Sequence, residues 1–502
     1  MNPLLRHLDA WQPFRALVLG DFMVDEMVYG DAERLSADAP VPVLHVRSIE
    51  RTPGGAANLC LALAALGGQV SAFGVLGQDD AADFLQLNLG EAGIEVRGLL
   101  ADGNTRPTTV KRNLIGLAQQ RHPQKMFRVD YESREPVSER FAEQALAAIR
   151  DALTRADVLC IEDYAKGVCT PELCQAVIEA ARDAGVPIFV DPAKLTEYAR
   201  YRGCTAITPN RNEAEHATGL TTQESGEADC AHNADLARAL HDALECEAVV
   251  LTLDRHGALL AQRSTEPVAI PTRARQVYDV TGAGDVFVGA LAAARANRLD
   301  WPDAVQLANA AAGLAVEAFG AVPIPIERLH QQLLADASAE HGKLRTLEQL
   351  LIEVRAWRAA GKRIVFTNGC FDVLHAGHVS LLDRAASHGD VLIVAINTDA
   401  TVRALKGETR PVNTETDRAR VLSGLGAVDR VVIFAEPTPA EVIEAVRPDV
   451  LVKGDEYEIA QIPGAQTVLA GGGQVVRLPM VEGKSTTATV ERIQAGHAHD
   501  NR

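Results

Sequence analysis

The sequence predicts an α/β fold built as two parallel-sheet units in series. Three observations predict it. The chain has 502 residues, well beyond the ~150 of an ordinary domain. Short apolar runs alternate with helical stretches along most of it, the pattern of a mostly parallel sheet covered on both faces. That alternation lapses at 335–343, which is polar and small, and then restarts. Hydrophobic residues make up 47% and aromatics only 4%, so Ala, Leu and Val must fill two cores.

Taken in order, residues 15–20 form a short apolar run ending in Gly-Asp, a buried strand entering a loop. Residues 41–46 alternate weakly and carry Pro42, which confines them to a sheet edge. A helix opens at Pro53-Gly-Gly-Ala-Ala-Asn58 and runs to Leu66. Strands follow at 70–75, 158–162, 187–191, 206–208, 248–253 and 258–261, with helices at 138–155, 171–184 and 232–244 between several of them. Residues 22–50 and 95–131 lack helical patterns and alternate instead, so antiparallel strands forming a lid over the sheet edge are expected there.

The first domain is expected to span 1–334, with a linker and connecting helix at 335–362. Thr346 with Gln349 reads as a capping box. Leu347, Leu350, Leu351, Val354 and Trp357 make one apolar stripe, and Gly361 ends the helix. A strand at 363–367 opens the second unit, 363–495, with further strands at 391–397, 430–434, 450–453 and 474–477. The tail 496–502 is expected to be disordered.

A net charge of −18 argues against nonspecific binding to nucleic acid or anionic membranes. It leaves phosphate ligands open, because glycine-loop amides and helix N-termini hold anions locally. Eight cysteines, at 60, 160, 169, 174, 204, 230, 246 and 370, form no Cys-x-x-Cys pair and read as small buried hydrophobes in a reducing cytosol. Residues 1–15 hold Arg6, Asp9 and Arg15 without a long apolar run. No stretch reaches the ~18 apolar residues of a membrane helix. A soluble, cytoplasmic protein is expected.

Two segments carry chemistry. In Asp279-Val-Thr-Gly-Ala-Gly-Asp285, Gly282 and Gly284 permit the backbone angles that aim successive amides inward, and a helical run follows. An anion is favoured at such a helix start. A carboxylate beside it can take the proton of a sugar hydroxyl as that oxygen attacks the terminal phosphate of ATP. Taken alone, the segment could equally be a tight turn with a capping aspartate.

Three motifs in order settle the choice: Gly54-Gly55-Ala56-Ala57-Asn58, Asn210-Arg211-Asn212-Glu213, and the segment ending at Asp285. Residues 12–330 resemble the ribokinase-like carbohydrate kinase family. The resemblance implies a ribokinase-like parallel sheet with a β lid and Asp285 as base. It implies that Gly282, Ala283 and Gly284 line the anion hole. Asn210, Arg211, Asn212 and Glu213 would serve ATP, with Glu213 reaching Mg²⁺ through water. Gly54, Gly55, Asn58 and Asp25 would hold the sugar. The family commonly has Thr where Val280 stands, a side chain the chemistry does not need.

The second segment is Thr367-Asn368-Gly369-Cys-Phe371-Asp-Val-Leu-His375-Ala-Gly-His378. Histidines three apart at a helix start project from one side. Zinc is an alternative, but no Glu or Cys partner set completes a metal site nearby. The His-x-Gly-His pattern resembles the nucleotidyltransferase superfamily, in its cytidylyltransferase-like branch, over 363–495, which implies a Rossmann-like domain. Further matches are Lys406 to Arg410, Lys453 to Tyr457, and Ser485-Thr486-Thr487. The resemblance implies catalytic His375 and His378, with Thr367, Asn368, Gly369, Phe371, Lys406, Arg410, Lys453, Ser485, Thr486 and Thr487 on the nucleotide and its phosphates. Read alone, Lys406 or Lys453 could be a solvated surface lysine. A sugar phosphate attacking the α-phosphorus is already an anion, so positioning and charge neutralisation suffice.

In this order, and with Arg34-Leu-Ser-Ala-Asp-Ala-Pro-Val-Pro-Val43, the whole chain resembles the bifunctional heptose kinase/adenylyltransferases of lipopolysaccharide core synthesis. That resemblance implies heptose phosphates and ATP as substrates, Mg²⁺ as cofactor, and a homodimer. Lys111, Arg112 and Arg128 are candidates for a second sugar phosphate. Residues alone allow another phosphorylated sugar, CTP in place of ATP, a single active half, or a non-enzymatic scaffold. Both signatures look intact, which disfavours a single active half, and no residue pattern speaks for a scaffold.

Overall fold

The computed structural model describes residues 3–103, 105–117, 124–221, 231–263, 265–272, 277–318, 320 and 322–479. Two compact units emerge: residues 10–329, and residues 330 onward together with the N-terminal helix Pro3–Asp9. The sequence had placed that helix with the first domain. Its Leu4, Leu5 and Leu8 are buried, and Asp9 accepts two hydrogen bonds from Arg355 at 2.5 and 2.6 Å. Seven residues carry too little pattern to announce a partner 346 positions away.

In the first unit nine strands form one sheet, ordered Val268–Ile270, Ala258–Gln262, Ala248–Thr252, Ala206–Ile207, Ile188–Asp191, Val158–Glu162, Phe14–Gly20, Gly68–Leu76 and Glu95–Ala101. Pairing is parallel from Ala248–Thr252 to Glu95–Ala101 and antiparallel in the hairpins beyond. The central strands are continuous apolar runs because helices bury both their faces. Their carboxyl ends line up Asp21, Glu162, Asp191, Thr208 and Thr252 along one rim.

A second sheet of four strands makes the lid, ordered Pro42–Gly55, Phe22–Leu35, Thr109–Leu117 and Gln124–Tyr131. Pro42 does sit on an edge strand. Two expectations need correction. Residues 95–101 join the main sheet, and the central lid pair, Phe22–Leu35 with Thr109–Leu117, is parallel. The chain runs through the main sheet between those strands, so it re-enters the lid from the same end. Glu26, 1% exposed, sits in register with Arg51 and Arg112 on the flanking strands and accepts hydrogen bonds from both.

The helix Ile326–His341 continues through most of the stretch read as linker, and Gly342 follows at φ 66°. Ala, Ser, Asp and Glu keep enough helix propensity there to extend it without an apolar stripe. Thr346 and Gln349 form the expected capping box. Leu350 and Val354 are buried, with Leu347, Leu351 and Trp357 packed against the same core.

The second unit holds six parallel strands, ordered Leu344–Arg345, Arg430–Phe434, Val391–Asn397, Ile364–Gly369, Val450–Gly454 and Gln474–Leu478. The chain winds outward in one direction from Ile364–Gly369 and then in the other from Val450–Gly454. The crevice at that reversal is where such sheets bind ligands. Among the described residues no helix is long and apolar enough to cross a membrane, and the described cysteines are free thiols. Cys230 and the tail 496–502 lie outside the described residues.

Candidate active sites

In the first unit a cleft of about 1060 Å³ opens along the carboxyl rim of the sheet. Gly282, at φ 75°, adopts a left-handed turn that only glycine enters readily, and the helix Ala283–Ala296 starts there. Gly282, Ala283, Gly284 and Asp285 all line the cleft. The start of that helix presents backbone amides not satisfied within it, a favourable place for a phosphate.

Asp285 is 3% exposed. Its Oδ2 accepts from the Asn58 amide at 2.7 Å, and its Oδ1 from the Tyr164 hydroxyl at 2.9 Å. Burial pushes its pKa up, while those two donors and the Lys111 ammonium pull it back. Oxygens of Glu162, Asp191 and Asp285 lie within 4.8 Å of one another. Burial holds Glu162 far above the usual carboxylate range, and Asp191 is pushed up to about 8. Glu213 also lines the cleft, half-buried; burial raises its pKa too, while the Asn210 donors and Lys194 pull it back.

Asn210 and Glu213 cap their helix reciprocally, at 3.0 and 2.8 Å, and both line the cleft. Arg211 reaches Glu215 at 3.2 Å, and Asn212 is exposed; neither lines the cleft. Asn58 is fully buried, so it meets Asp285 and the Gly282 carbonyl, at 3.3 Å. Gly54 carries no side chain because a Cβ there would lie 2.3 Å from the Asp25 carboxylate. The next residue, Gly55, precedes the helix Ala56–Ala65. Lys111 lies in register with Asp25, its ammonium 4.5 Å from the Tyr164 ring centroid. Arg112 is taken by Glu26, and Arg128 by Asp130 at 2.8 and 2.9 Å.

Sequence reasoning missed Tyr164, Glu162, Asp191 and Asp21. Asp21 accepts from the backbone amides of Tyr164, Lys166 and Val168 at 2.8, 3.0 and 3.3 Å, which fixes the loop bearing Tyr164. Acids directly after apolar strand runs were the signal available for three of them.

In the second unit the crevice lies beyond Gly369 and Gly454. His375 precedes the helix Ala376–Ala386 and His378 falls in its first turn, with the rings stacked at 3.9 Å. Phe371 packs against His378 at 5.1 Å. Burial, His375 and Lys406 together lower the His378 pKa to about 4. At neutral pH that ring is therefore a neutral hydrogen-bonding group, a finer statement than the charge or donor role the sequence allowed.

Burial also lowers Lys453 to about 8, and its ammonium donates to the Asn368 carbonyl at 2.9 Å. The side-chain oxygen of Asn368 and Nδ1 of His378 are buried without a hydrogen-bond partner among the described residues, which suits a polar ligand. Thr367 faces inward, donating to the Val452 carbonyl at 3.0 Å. Arg410 pairs with buried Asp372 at 2.5 Å, which also accepts from the amides of Val412 and Asn413 at 2.6 and 3.1 Å. Lys406 ends its helix exposed. Ser485, Thr486 and Thr487 lie outside the described residues.

Arg418, unmarked by any sequence pattern, has a wholly buried side chain. It donates to the carbonyls of Cys370 and Asn397 at 2.7 and 2.8 Å and to Asp399 at 2.7 Å. It thereby ties the ends of two neighbouring strands beside the histidines.

Residues 15–327 match the pfkB family of carbohydrate kinases, and residues 366–478 match the cytidylyltransferase-like family. The chain is 45% identical over 481 residues to the bifunctional protein HldE of Pseudomonas paraeruginosa, covering 95% of this chain and 97% of that one. It is 44% identical over 483 residues to HldE of Azotobacter vinelandii, with the same coverage of each chain. Among solved structures, Escherichia coli phosphofructokinase-2 in complex with potassium superposes with a TM-score of 0.53 at 18% identity, over 65% of this chain and 100% of that one. Arabidopsis thaliana ribokinase complexed with ribose and ATP gives 0.50 at 20%, over 64% and 99%. At these identities the two superpositions establish the ribokinase-like fold alone.

Two measurements check this geometry. His378 in the nucleotide-free protein should titrate at about 4, so its ring resonances in an NMR titration should stay put from pH 8 to pH 5. Arg418→Met should destabilise the second unit by about 3–5 kcal/mol in chemical denaturation, because Asp399 and two carbonyls lose a buried donor.

Proposed function

We propose, for a chain that belongs to the HldE family of bifunctional proteins, two ATP-dependent reactions, one in each unit. The first phosphorylates D-glycero-β-D-manno-heptose 7-phosphate at C1. The second transfers an adenylyl group from ATP to heptose 1-phosphate, giving ADP-heptose and pyrophosphate. One observation carries this reading: in each unit the reactive motif sits at a helix start beside the carboxyl ends of parallel strands. The choice of a heptose rests on the whole-chain resemblance.

In the kinase unit, 10–329, Asp285 takes the proton of the C1 hydroxyl as that oxygen attacks the γ-phosphorus and ADP leaves. Amides at the start of the helix Ala283–Ala296 stabilise the transferring phosphoryl group. Asn58 orients the base, and Asp25 beside Gly54 is placed for sugar hydroxyls. Mg²⁺ bound with ATP supplies charge neutralisation, and Glu213 is the residue to meet its waters. Of the three lid cations, Lys111 is best placed for the second sugar phosphate. It alone is not tied to a carboxylate by an ion pair among the described residues.

In the transferase unit, from residue 330 onward, the sugar phosphate needs no base. His375, His378, Lys406 and Lys453 hold the polyphosphate while an oxygen of heptose 1-phosphate attacks the α-phosphorus. Thr367, Asn368, Gly369 and Phe371 shape the crevice, and Arg410 braces it through Asp372. Ser485, Thr486 and Thr487 are assigned to phosphate on the motif alone. A phosphatase must remove the 7-phosphate between the two steps.

The chain is taken to work in the cytoplasm as a homodimer. The lid's exposed edge strand, with Val46 and Ile49 about half exposed, supports an interface there.

A coupled assay on the full chain tests the whole reading. Heptose 7-phosphate, the phosphatase and ATP should yield ADP-heptose by mass, whereas product from CTP alone would reverse the nucleotide assignment. Asp285→Asn should lower heptose phosphorylation by at least about 10²-fold and spare adenylyl transfer. His378→Ala should do the opposite, and unchanged pyrophosphate release would remove its assigned role.

A further inference from the structure

We propose that Tyr164 is a positioning residue for the kinase step: its hydroxyl fixes the Asp285 carboxylate in the orientation that receives the sugar proton. This rests on the reading of Asp285 as the base.

A carboxylate on a single side chain can rotate, and a base that rotates loses its aim. Asp285 is held at both ends. Asn58 donates to Oδ2 at 2.7 Å and Tyr164 to Oδ1 at 2.9 Å. Each oxygen can accept two hydrogen bonds, so neither side-chain donor alone saturates the oxygen it meets. Asn58 is wholly buried, whereas Tyr164 lines the cleft. Tyr164 is thus the anchor on the side that sugar and ATP enter.

Tyr164 is itself anchored. Asp21 takes three amides of its loop, the Asp163 carboxylate accepts from the Tyr201 hydroxyl at 2.6 Å and the Ala165 amide at 2.7 Å, and Arg106 donates to the Lys166 carbonyl at 2.7 Å. Above the ring, the Lys111 ammonium presses from the lid. A side chain filling space alone would not need its backbone tied at so many points.

Charge gives the hydroxyl a second use. Facing Asp285 are Glu162 and Asp191 from the sheet, Asp25 and Lys111 from the lid, and Tyr164 from its loop. Burial favours a proton on Asp285. A neutral donor on Oδ1 opposes that. Burial, and after it Asp285, Glu162 and Asp191, hold the Tyr164 phenol well above its usual range, so it donates and never competes as a base.

The test is Tyr164→Phe in the full chain, assayed by ADP release with heptose 7-phosphate across pH, with Asp285→Asn alongside. The variant should lose about tenfold or more in kcat while KM for ATP stays within about twofold. The acid limb of kcat/KM should move up by about one pH unit, as expected when a carboxylate loses one donor. An unchanged kcat, a fall with the acid limb unmoved, or a loss confined to KM for ATP would overturn the role. Wild-type turnover in Asp285→Asn would instead sink the base assignment, so the two failures are distinguishable.

Discussion

A charge taken out of water must be answered where it is buried, and both candidate sites are organised by that constraint. An unanswered buried ion costs several kcal/mol. Asp285 is answered by Asn58 and Tyr164, Asp21 by three amides, Asp372 by Arg410 and two amides, and Arg418 by three carbonyls and Asp399. These pairings join segments far apart in the chain: Asn58 and Asp285 are 227 positions apart. The contacts that make burial tolerable are therefore the ones that aim the reactive groups. Folding and positioning are here one problem with one solution.

The two units apply a shared scaffold to different chemistry. Each places a helix start at the carboxyl end of parallel strands, where backbone amides favour phosphate. What differs is the company. Around Asp285 there are acids, and the site must spend its neutral donors keeping one carboxylate ready for a proton. Around His378 there are a second histidine and Lys406, and Lys453 reaches the Asn368 carbonyl nearby. A hydroxyl nucleophile requires the first arrangement and a phosphate nucleophile the second, as the order of the proposed reactions requires.

Much of this was legible in the sequence because it was local. Continuous apolar runs announced the parallel strands, Thr346 with Gln349 announced a helix start, and the glycine-bearing motifs announced the helix starts at Ala283 and Ala376. What was not legible depended on distant partners. Tyr164 has meaning only beside Asp285, 121 positions on, and Arg418 only beside Cys370 and Asn397. Asn58 lies wholly buried with its amide on Asp285, a contact that no local pattern shows. The parallel pairing inside the lid was hidden for a related reason: periodicity shows that a segment is a strand but not from which side the chain arrives. Residues 335–341 hid their helix because helical propensity without an apolar stripe resembles a linker.

The lysine of the second crevice ties protonation to ligand. Lys453 is pushed down to about 8 mainly because burial disfavours its charged form, with Cys370 and Glu456 only partly compensating. Near neutral pH it is mostly protonated, but the margin is narrow. A polyphosphate beside it would favour the ammonium and raise that value, so binding would take up a proton wherever the free lysine had begun to lose one. By the same linkage, phosphate affinity would weaken as pH rises past about 8. His378, already neutral, would contribute no charge of its own in that range unless the phosphate raised its pKa as well. The positive charge facing the nucleotide then falls to Lys453 and Lys406, with the imidazoles supplying directional hydrogen bonds. That division matches a reaction in which charge must be neutralised on the leaving pyrophosphate while no proton has to be taken from the nucleophile.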